Sequence, residues 1–352
     1  MYYVVNNNMD VQQTILEVAS KNKTFKTSDV VAVLNDKVSR KWVSALISNF
    51  VKKGLLIKSG KTAGSTYALP QNALELGNSI RKHLIREAIL EHEVLDDVNH
   101  QAPFLLTLNE NLRSLFDYSF SEMLNNAIEH SKSKYIDIEV GINDKNLWFT
   151  VSDNGIGVFR NVMQSRGLAS ELESMQDLLK GKTTTQPHAH SGEGIFFTSK
   201  VADVFDLESF GYVLRVDNTI HDIFFEERHP NKKGTRVSFS LSKNTDKHLR
   251  DIFSRYETNH QDPDFDKTEV YVKLYTMGTI YVSRSQARRI LTGLEKFKKI
   301  ILNFDKVPTV GQAFADEIFR VFHQKYSHII LEPINMNEAV KYMINRVEKT
   351  SR

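Results

Sequence analysis

Along residues 10–69 the apolar positions first repeat at helical spacing and then alternate. Val11, Ile15, Val18 and Ala19 share one helical face, and Asp10 stands where an N-cap would. Thr27 or Ser28 caps a second predicted helix, which runs through Leu34. Ser39 opens a third, with Trp42, Ala45, Leu46 and Phe50 as its inward stripe and Gly54 as its stop. Leu55-Leu56-Ile57 and Thr66-Tyr67-Ala68-Leu69 flank a Ser/Gly/Lys-rich turn, the pattern of a two-stranded hairpin. Residues 72–100 carry Leu and Ile on one face and predict a helical connector.

A long amphipathic helix is predicted over 110–131, from Leu112, Leu115, Phe116, Met123 and Ala127. Trp148–Val151 reads as a strand, Gly194–Ala202 as a helix, and Val237–Leu241 as a strand. Residues 242–265 form a helix followed by a polar stretch, an interdomain connection. From 268 onward, apolar runs at Val270–Tyr275, Ile300–Phe304 and Ile329–Leu331 alternate with helical patterns at 283–297, 311–326 and 335–348. Strands alternating with helices predict a small α/β domain. The domains expected are therefore 1–70, a connector at 71–104, 105–245, a linker at 246–265, and 266–352. The fold class is a multidomain α+β and α/β chain.

Composition and charge sharpen this picture. A chain of 352 residues favours two or three domains. It has no cysteine, which excludes a disulfide framework, a thiolate metal site and a cysteine nucleophile. The start is not a signal peptide, and no apolar run approaches the ~20 residues of a membrane helix, so the expectation is a cytoplasmic protein without a membrane partner. The net charge of +3 conceals a polarised first segment. Between 21 and 61 ten bases stand against Asp29 and Asp36 alone, a local +8. Arg40, Lys41 and Ser44 lie away from the apolar stripe of the third helix, and Lys58 and Lys61 flank the hairpin turn. Basic and short polar side chains on such a helix suit phosphates and base edges in a major groove. The segment resembles a winged helix-turn-helix, with double-stranded DNA as the expected partner. A packing or dimerisation module with a solvated basic face is the alternative.

Glu122 and Asn126 sit four residues apart, so both project from one side of the long helix. An amide oxygen can join the shell of a magnesium held mainly by phosphates and water, and a carboxylate one turn earlier can accept a proton. The Trp148–Val151 strand runs into Ser152-Asp153-Asn154-Gly155-Ile156-Gly157. Asp153 at a strand end can accept a hydrogen bond from an adenine amine, and Gly155 and Gly157 allow close backbone approach to base and ribose. Ser191-Gly192-Glu193-Gly194 opens a helix, whose first amides suit phosphate. Gly234-Thr235 precedes the last strand of this region.

In this order and spacing, Glu122…Asn126, Asp153-x-Gly155-x-Gly157, Gly192-x-Gly194 and Gly234-Thr235 resemble the asparagine box and the three glycine boxes of the GHKL superfamily, the fold of gyrase, histidine kinases and MutL. The resemblance implies an α/β sandwich that binds ATP. Glu122 would be general base, Asn126 magnesium ligand, Asp153 the adenine acceptor, and Thr235 a support for the adenine through its hydroxyl or a water. Val158–His190 would be a mobile lid. Asn126-Ala127-Ile128-Glu129-His130 is most similar to the anti-sigma-factor serine kinases. His92-Glu93 invites comparison with a phosphoacceptor box, but Asp97 stands where that box has proline, and His92 reads as a surface helix residue. His188 and His190 read as solvated lid residues rather than a metal pair.

The C-terminal segment resembles a STAS-like domain with Ile300–Phe304 as its central strand. The whole order resembles a bacterial family of ATP-binding proteins ending in such a domain. Where anti-sigma-factor antagonists carry a phosphorylatable serine this chain has Gly311-Gln312-Ala313, with Thr309 the nearest hydroxyl. The resemblance implies an ATP- and magnesium-dependent regulator that gates DNA or a protein partner, the latter through the STAS-like domain. The alternatives are a protein serine/threonine kinase and an ATPase that forms a homodimer on binding ATP.

Overall fold

The computed structural model describes residues 2–35, 37–60, 64–182, 192–259, 264–275 and 281–350. The first segment holds α1 (Tyr2–Lys21), α2 (Thr27–Val33), α3 (Arg40–Lys52), β1 (Ile57–Ser59) and β2 (Thr66–Ala68). Then follow β3 (Ser79–Ile85), α4 (Glu91–Gln101), α5 (Glu110–His130), β4 (Tyr135–Ile142), β5 (Asn146–Asp153), α6 (Val158–Arg166), α7 (Glu171–Lys180) and α8 (Gly194–Val201). Next come β6 (Val204–Ser209), β7 (Tyr212–Asp217), β8 (Asp222–Glu227), β9 (Thr235–Ser242) and α9 (Leu249–Ser254). The end of the chain carries β10 (Lys267–Tyr271), α10 (Arg284–Leu291), β11 (Lys299–Asn303), α11 (Gln312–Asp316), α12 (His323–Lys325), β12 (Ile330–Ile334) and α13 (Glu338–Thr350). Two compact units result, one of residues 1–155, 202–208 and 232–246, the other of 156–201, 209–231 and 247–352.

In the first unit, α1–α3 and the antiparallel β1–β2 hairpin enclose a core of Val11, Ile15, Val18, Phe25, Val30, Val43, Ile47, Phe50, Leu56 and Tyr67. Three sequence expectations shift. Asp10 lies inside α1 rather than capping it. The second helix begins at Thr27 with Lys26 as its N-cap residue, and Asp29 reaches back to the Lys26 amide at 2.7 Å. Ser39 does cap α3, accepting the Trp42 amide at 3.3 Å. The buried stripe of α3, however, is Val43, Ile47 and Phe50; Trp42 and Leu46 flank it and Ala45 is exposed.

The helical connector expected over 72–100 is instead a 3-10 turn at Pro70–Leu76, a strand, and then α4, in which His92 is exposed. Gly77, at φ 121°, breaks any helix, and β3 pairs antiparallel with β4, Ile80 opposite Val140 and Leu84 opposite Ile136. Ile80, Lys82 and Leu84 are half-buried while Ser79, Arg81, His83 and Ile85 are exposed, the period-two alternation of a strand with one covered face. The first unit's strands run β3-β4-β5-β9-β6. α5, capped by Asn109 on the Leu112 amide at 2.7 Å, buries Leu112, Leu115, Phe116, Phe120, Met123, Leu124 and Ala127. Phe120 meets Phe149 of β5 edge-on at 5.4 Å, and Phe149 stacks on Phe239 of β9 at 4.7 Å. Each such buried ring contributes roughly 2–3 kcal/mol by removing its area from water. This packing fixes the side of α5 that carries Glu122 and Asn126.

The second unit contains α6–α8, the antiparallel β7–β8 hairpin, and a three-stranded parallel sheet in the order β10-β11-β12. β11 is central, with Ile300 and Leu302 fully buried. Parallel neighbours need long crossovers, which the segments containing α10 and α11–α12 supply. The helical run after Gly311 passes through a π-helical turn at Glu317–Phe322. Among the described residues no helix is long and apolar enough to cross a membrane.

Candidate functional site

In the first unit, α5 places Glu122 and Asn126 one turn apart, both half-buried. The Asn126 amide makes no hydrogen bond among the described residues, and its Nδ2 end is shut off from solvent. A buried amide left unpaired costs about 1–3 kcal/mol, which a ligand at this point would recover.

β5 delivers Asp153, 4% exposed, at its last position. Its Oδ1 accepts the Gly155 amide at 2.7 Å and the Thr235 amide at 3.3 Å. Oδ2 has no partner among the described residues and retains full acceptor capacity. Burial pushes this carboxyl above the usual carboxylate range, against the pull of those two amides and of the Lys232 charge. The two loops meet tightly. A Cβ on Gly234, at φ 78°, would lie 2.3 Å from the Asp153 carbonyl oxygen, and one on Gly155 would lie 1.8 Å from that of Ser131. The Asn154 amide donates to Ser133 Oγ at 3.2 Å.

In the second unit, Gly157 is the N-cap of α6 at φ 82°. A Cβ there would strike Ser209 Oγ and the Phe210 ring at 2.5–2.6 Å, and Arg160 stacks over that ring at 3.6 Å. Side chains at 155 and 157 are thus excluded by the protein's own Ser131, Ser209 and Phe210. Gly192 has φ 73°, and Gly194 is the first residue of α8.

The expected lid holds, over its described part, the two helices α6 and α7, and several polar residues of α7 are buried. Gln176, Asp177 and Lys180 of α7 are 2–4% exposed. Lys180 Nζ donates to the carbonyls of Arg289 and Thr292 at 3.0 and 2.7 Å, capping the C-terminus of α10. Thr268 Oγ1 donates to the Lys180 carbonyl at 2.7 Å, Tyr275 Oη to that of Gln176 at 2.9 Å, and Gln176 Nε2 to that of Leu274. Arg166 pairs with Asp177 at 3.0 Å and Arg289 with Glu173 at 3.3 Å. Burial pushes the Lys180 ammonium down to about 8, opposed mainly by Asp177. Phe265 packs against Phe196 and Phe197 of α8 and against Phe297. α7 and α8 are thus anchored in the C-terminal α/β segment. Sequence reading missed this, because polar residues on an amphipathic helix read as a solvated face.

Of the basic candidates in the first segment, Arg40, Lys41 and Ser44 are exposed and Lys58 is half-buried. Lys61 lies outside the described residues, as do His188 and His190. Arg40 and Lys41 make no ion pair among the described residues, whereas Lys23 pairs with Glu75 at 2.5 Å. Gly311 is the N-cap of α11, where a Cβ would lie 2.8 Å from the Val282 Cα, and Thr309 is exposed. No cluster of metal-binding side chains occurs among the described residues.

Residues 114–248 match the model of the histidine kinase-, DNA gyrase B- and HSP90-like ATPase family. Residues 286–341 match that of a STAS-like domain of unknown function. No curated protein matches the chain. Every residue singled out above for nucleotide, from Glu122 to Thr235, falls within the first match.

Proposed function

We propose that this protein, which joins a GHKL ATP-binding domain to a STAS-like domain, is an ATP-gated cytoplasmic regulator of DNA or protein-partner binding. In this reading Asp153 Oδ2 accepts the adenine amine, and the amides opening α8, with Gly192 and Gly194, receive phosphate. Thr235 supports the base. Its backbone amide already holds Asp153, which places the residue beside the carboxylate. The unpaired Asn126 Nδ2 is a donor that fits a phosphate oxygen, its Oδ1 is the atom that would join a magnesium shell, and Glu122 one turn away is placed to take a proton. Magnesium, when bound, would neutralise phosphate charge.

The observation that carries the gating is the burial of α7 in the C-terminal α/β segment. A lid tied by Lys180, Gln176 and Asp177 to the STAS-like side cannot rearrange around nucleotide without straining those bonds. Nucleotide state therefore reaches the STAS-like domain through fixed contacts. The resemblance of Asn126–His130 to serine kinases keeps a second reading, protein phosphorylation, in view. Gly311 at the head of α11 leaves that kinase without the usual acceptor in its own STAS-like domain.

The DNA arm of the proposal rests on the exposed Arg40, Lys41 and Ser44 of α3 beside the β1–β2 hairpin, which together suit a winged helix. Fluorescence anisotropy of the full chain with a mixed-sequence duplex should show binding that weakens with salt, the log–log slope gaining about −0.9 per neutralised phosphate. Arg40→Glu with Lys41→Glu should abolish it while ATP affinity stays intact, and ATP should shift the wild-type curve. A salt-independent signal, or a reversal that changes only oligomeric state, would make the segment a dimerisation module instead.

A further inference from the structure

We propose that Lys232 is a positioning residue for base recognition: its ammonium ties the end of β5 to the loop carrying Gly234 and Thr235, and so fixes the carboxylate that tells adenine from guanine. This rests on the reading of Asp153 as the adenine acceptor and adds to it a residue that no part of the nucleotide motif contains.

Lys232 Nζ donates to the Asp153 carbonyl, to Asn154 Oδ1 at 3.0 Å and to the Lys233 carbonyl. An ammonium has three donors, and all three are used. Lys232 is therefore occupied within the two loops and is not a spare cation waiting for phosphate. Its neighbour Lys233 is exposed. Asp153 ends β5 and Asn154 follows it, while Lys233 lies next to Lys232 in the loop before β9, so the side chain spans the junction that Gly234 makes by close contact. Half-burial pushes the Lys232 pKa down, opposed first by the Asp153 charge.

The consequence is geometric. Asp153 Oδ1 is held by the Gly155 and Thr235 amides, one from each loop. Oδ2 keeps its aim only while those loops stay in register. Adenine offers a donor amine where guanine offers a carbonyl acceptor, so a fixed carboxylate favours one and repels the other. If the loops slip, the carboxylate can turn away from guanine's carbonyl, and discrimination falls further than binding in general.

The test compares Mg-ATP and Mg-GTP binding to the full chain by calorimetry. The wild type should prefer ATP by roughly a hundredfold, and Lys232→Met should cut that ratio about tenfold, chiefly by weakening ATP. Lys233→Met, which removes the adjacent exposed charge, should leave the ratio unchanged. Asn154→Ala deletes one of the three acceptors and should lower the ratio about threefold. It keeps the idea testable if Lys232→Met does not fold. Equal weakening of ATP and GTP in both variants, with the ratio intact, would show that Lys232 serves phosphate or general stability and would overturn the inference. A wild type that binds neither nucleotide would instead overturn the adenine-acceptor reading, and this inference with it.

Discussion

Asp153→Asn is expected to weaken ATP binding about ten- to a hundredfold, as measured by calorimetry on the full chain. The wild-type Oδ1 already takes two backbone amides, from Gly155 and Thr235. An asparagine that keeps its oxygen toward those amides must turn its NH2 toward the adenine amine, donor against donor. Flipped, it sets the same NH2 against the Gly155 amide. Either orientation leaves a buried donor unpaired at a residue 4% exposed. The loss of a charge-assisted bond costs on the order of 1.5–3 kcal/mol, which is the affinity change given. Equal ATP affinity in variant and wild type would remove Asp153 from the site.

Glu122→Ala should leave ATP bound while phosphate release or transfer falls by roughly 10²–10⁴-fold, the usual contribution of a positioned base. Its neighbour behaves differently: Asn126→Ala should lose the magnesium-dependent part of the affinity, since the variant lacks the amide oxygen that would join the magnesium shell. Incubation with γ-labelled ATP, alone and with cell extract, reads both fates of the phosphate. Wild-type turnover in Glu122→Ala would assign the base to another residue. Label in a protein of the extract would favour the kinase reading, and no turnover even in the wild type would make ATP a sensed ligand.

The residues that sequence alone made legible are those whose role is local. Ser39 announces α3 because a cap acts within one turn, and Ile300 and Leu302 announce a buried strand because a short apolar run marks it, as its place between β10 and β12 bears out. Glu122 and Asn126 share a helix side by periodicity alone. What sequence could not give depends on distant partners. The 79–85 segment satisfies a helical template nearly as well as an alternating one, and pairing with β4 settles it as strand. The α3 stripe was offset by one position because Trp42 and Leu46 are large enough to mark its flank as its centre. Gln176 and Lys180 look solvated until residues about a hundred positions later, Leu274, Arg289 and Thr292, supply their acceptors. Lys232 likewise is one of two adjacent lysines, and only the Asp153 carbonyl, far earlier in the chain, distinguishes it from Lys233.

The central claim is that ATP binds the GHKL domain and that the STAS-like side registers it through α7. Amide hydrogen exchange of the full chain with and without Mg-ATP tests it directly. The account predicts slower exchange around Asn126, at 153–157 and at the start of α8, together with a change in α7 and in its anchoring partners at 268–275 and 289–292. Protection confined to the nucleotide motifs would contradict the gating, and an exchange pattern untouched by ATP would contradict the account as a whole.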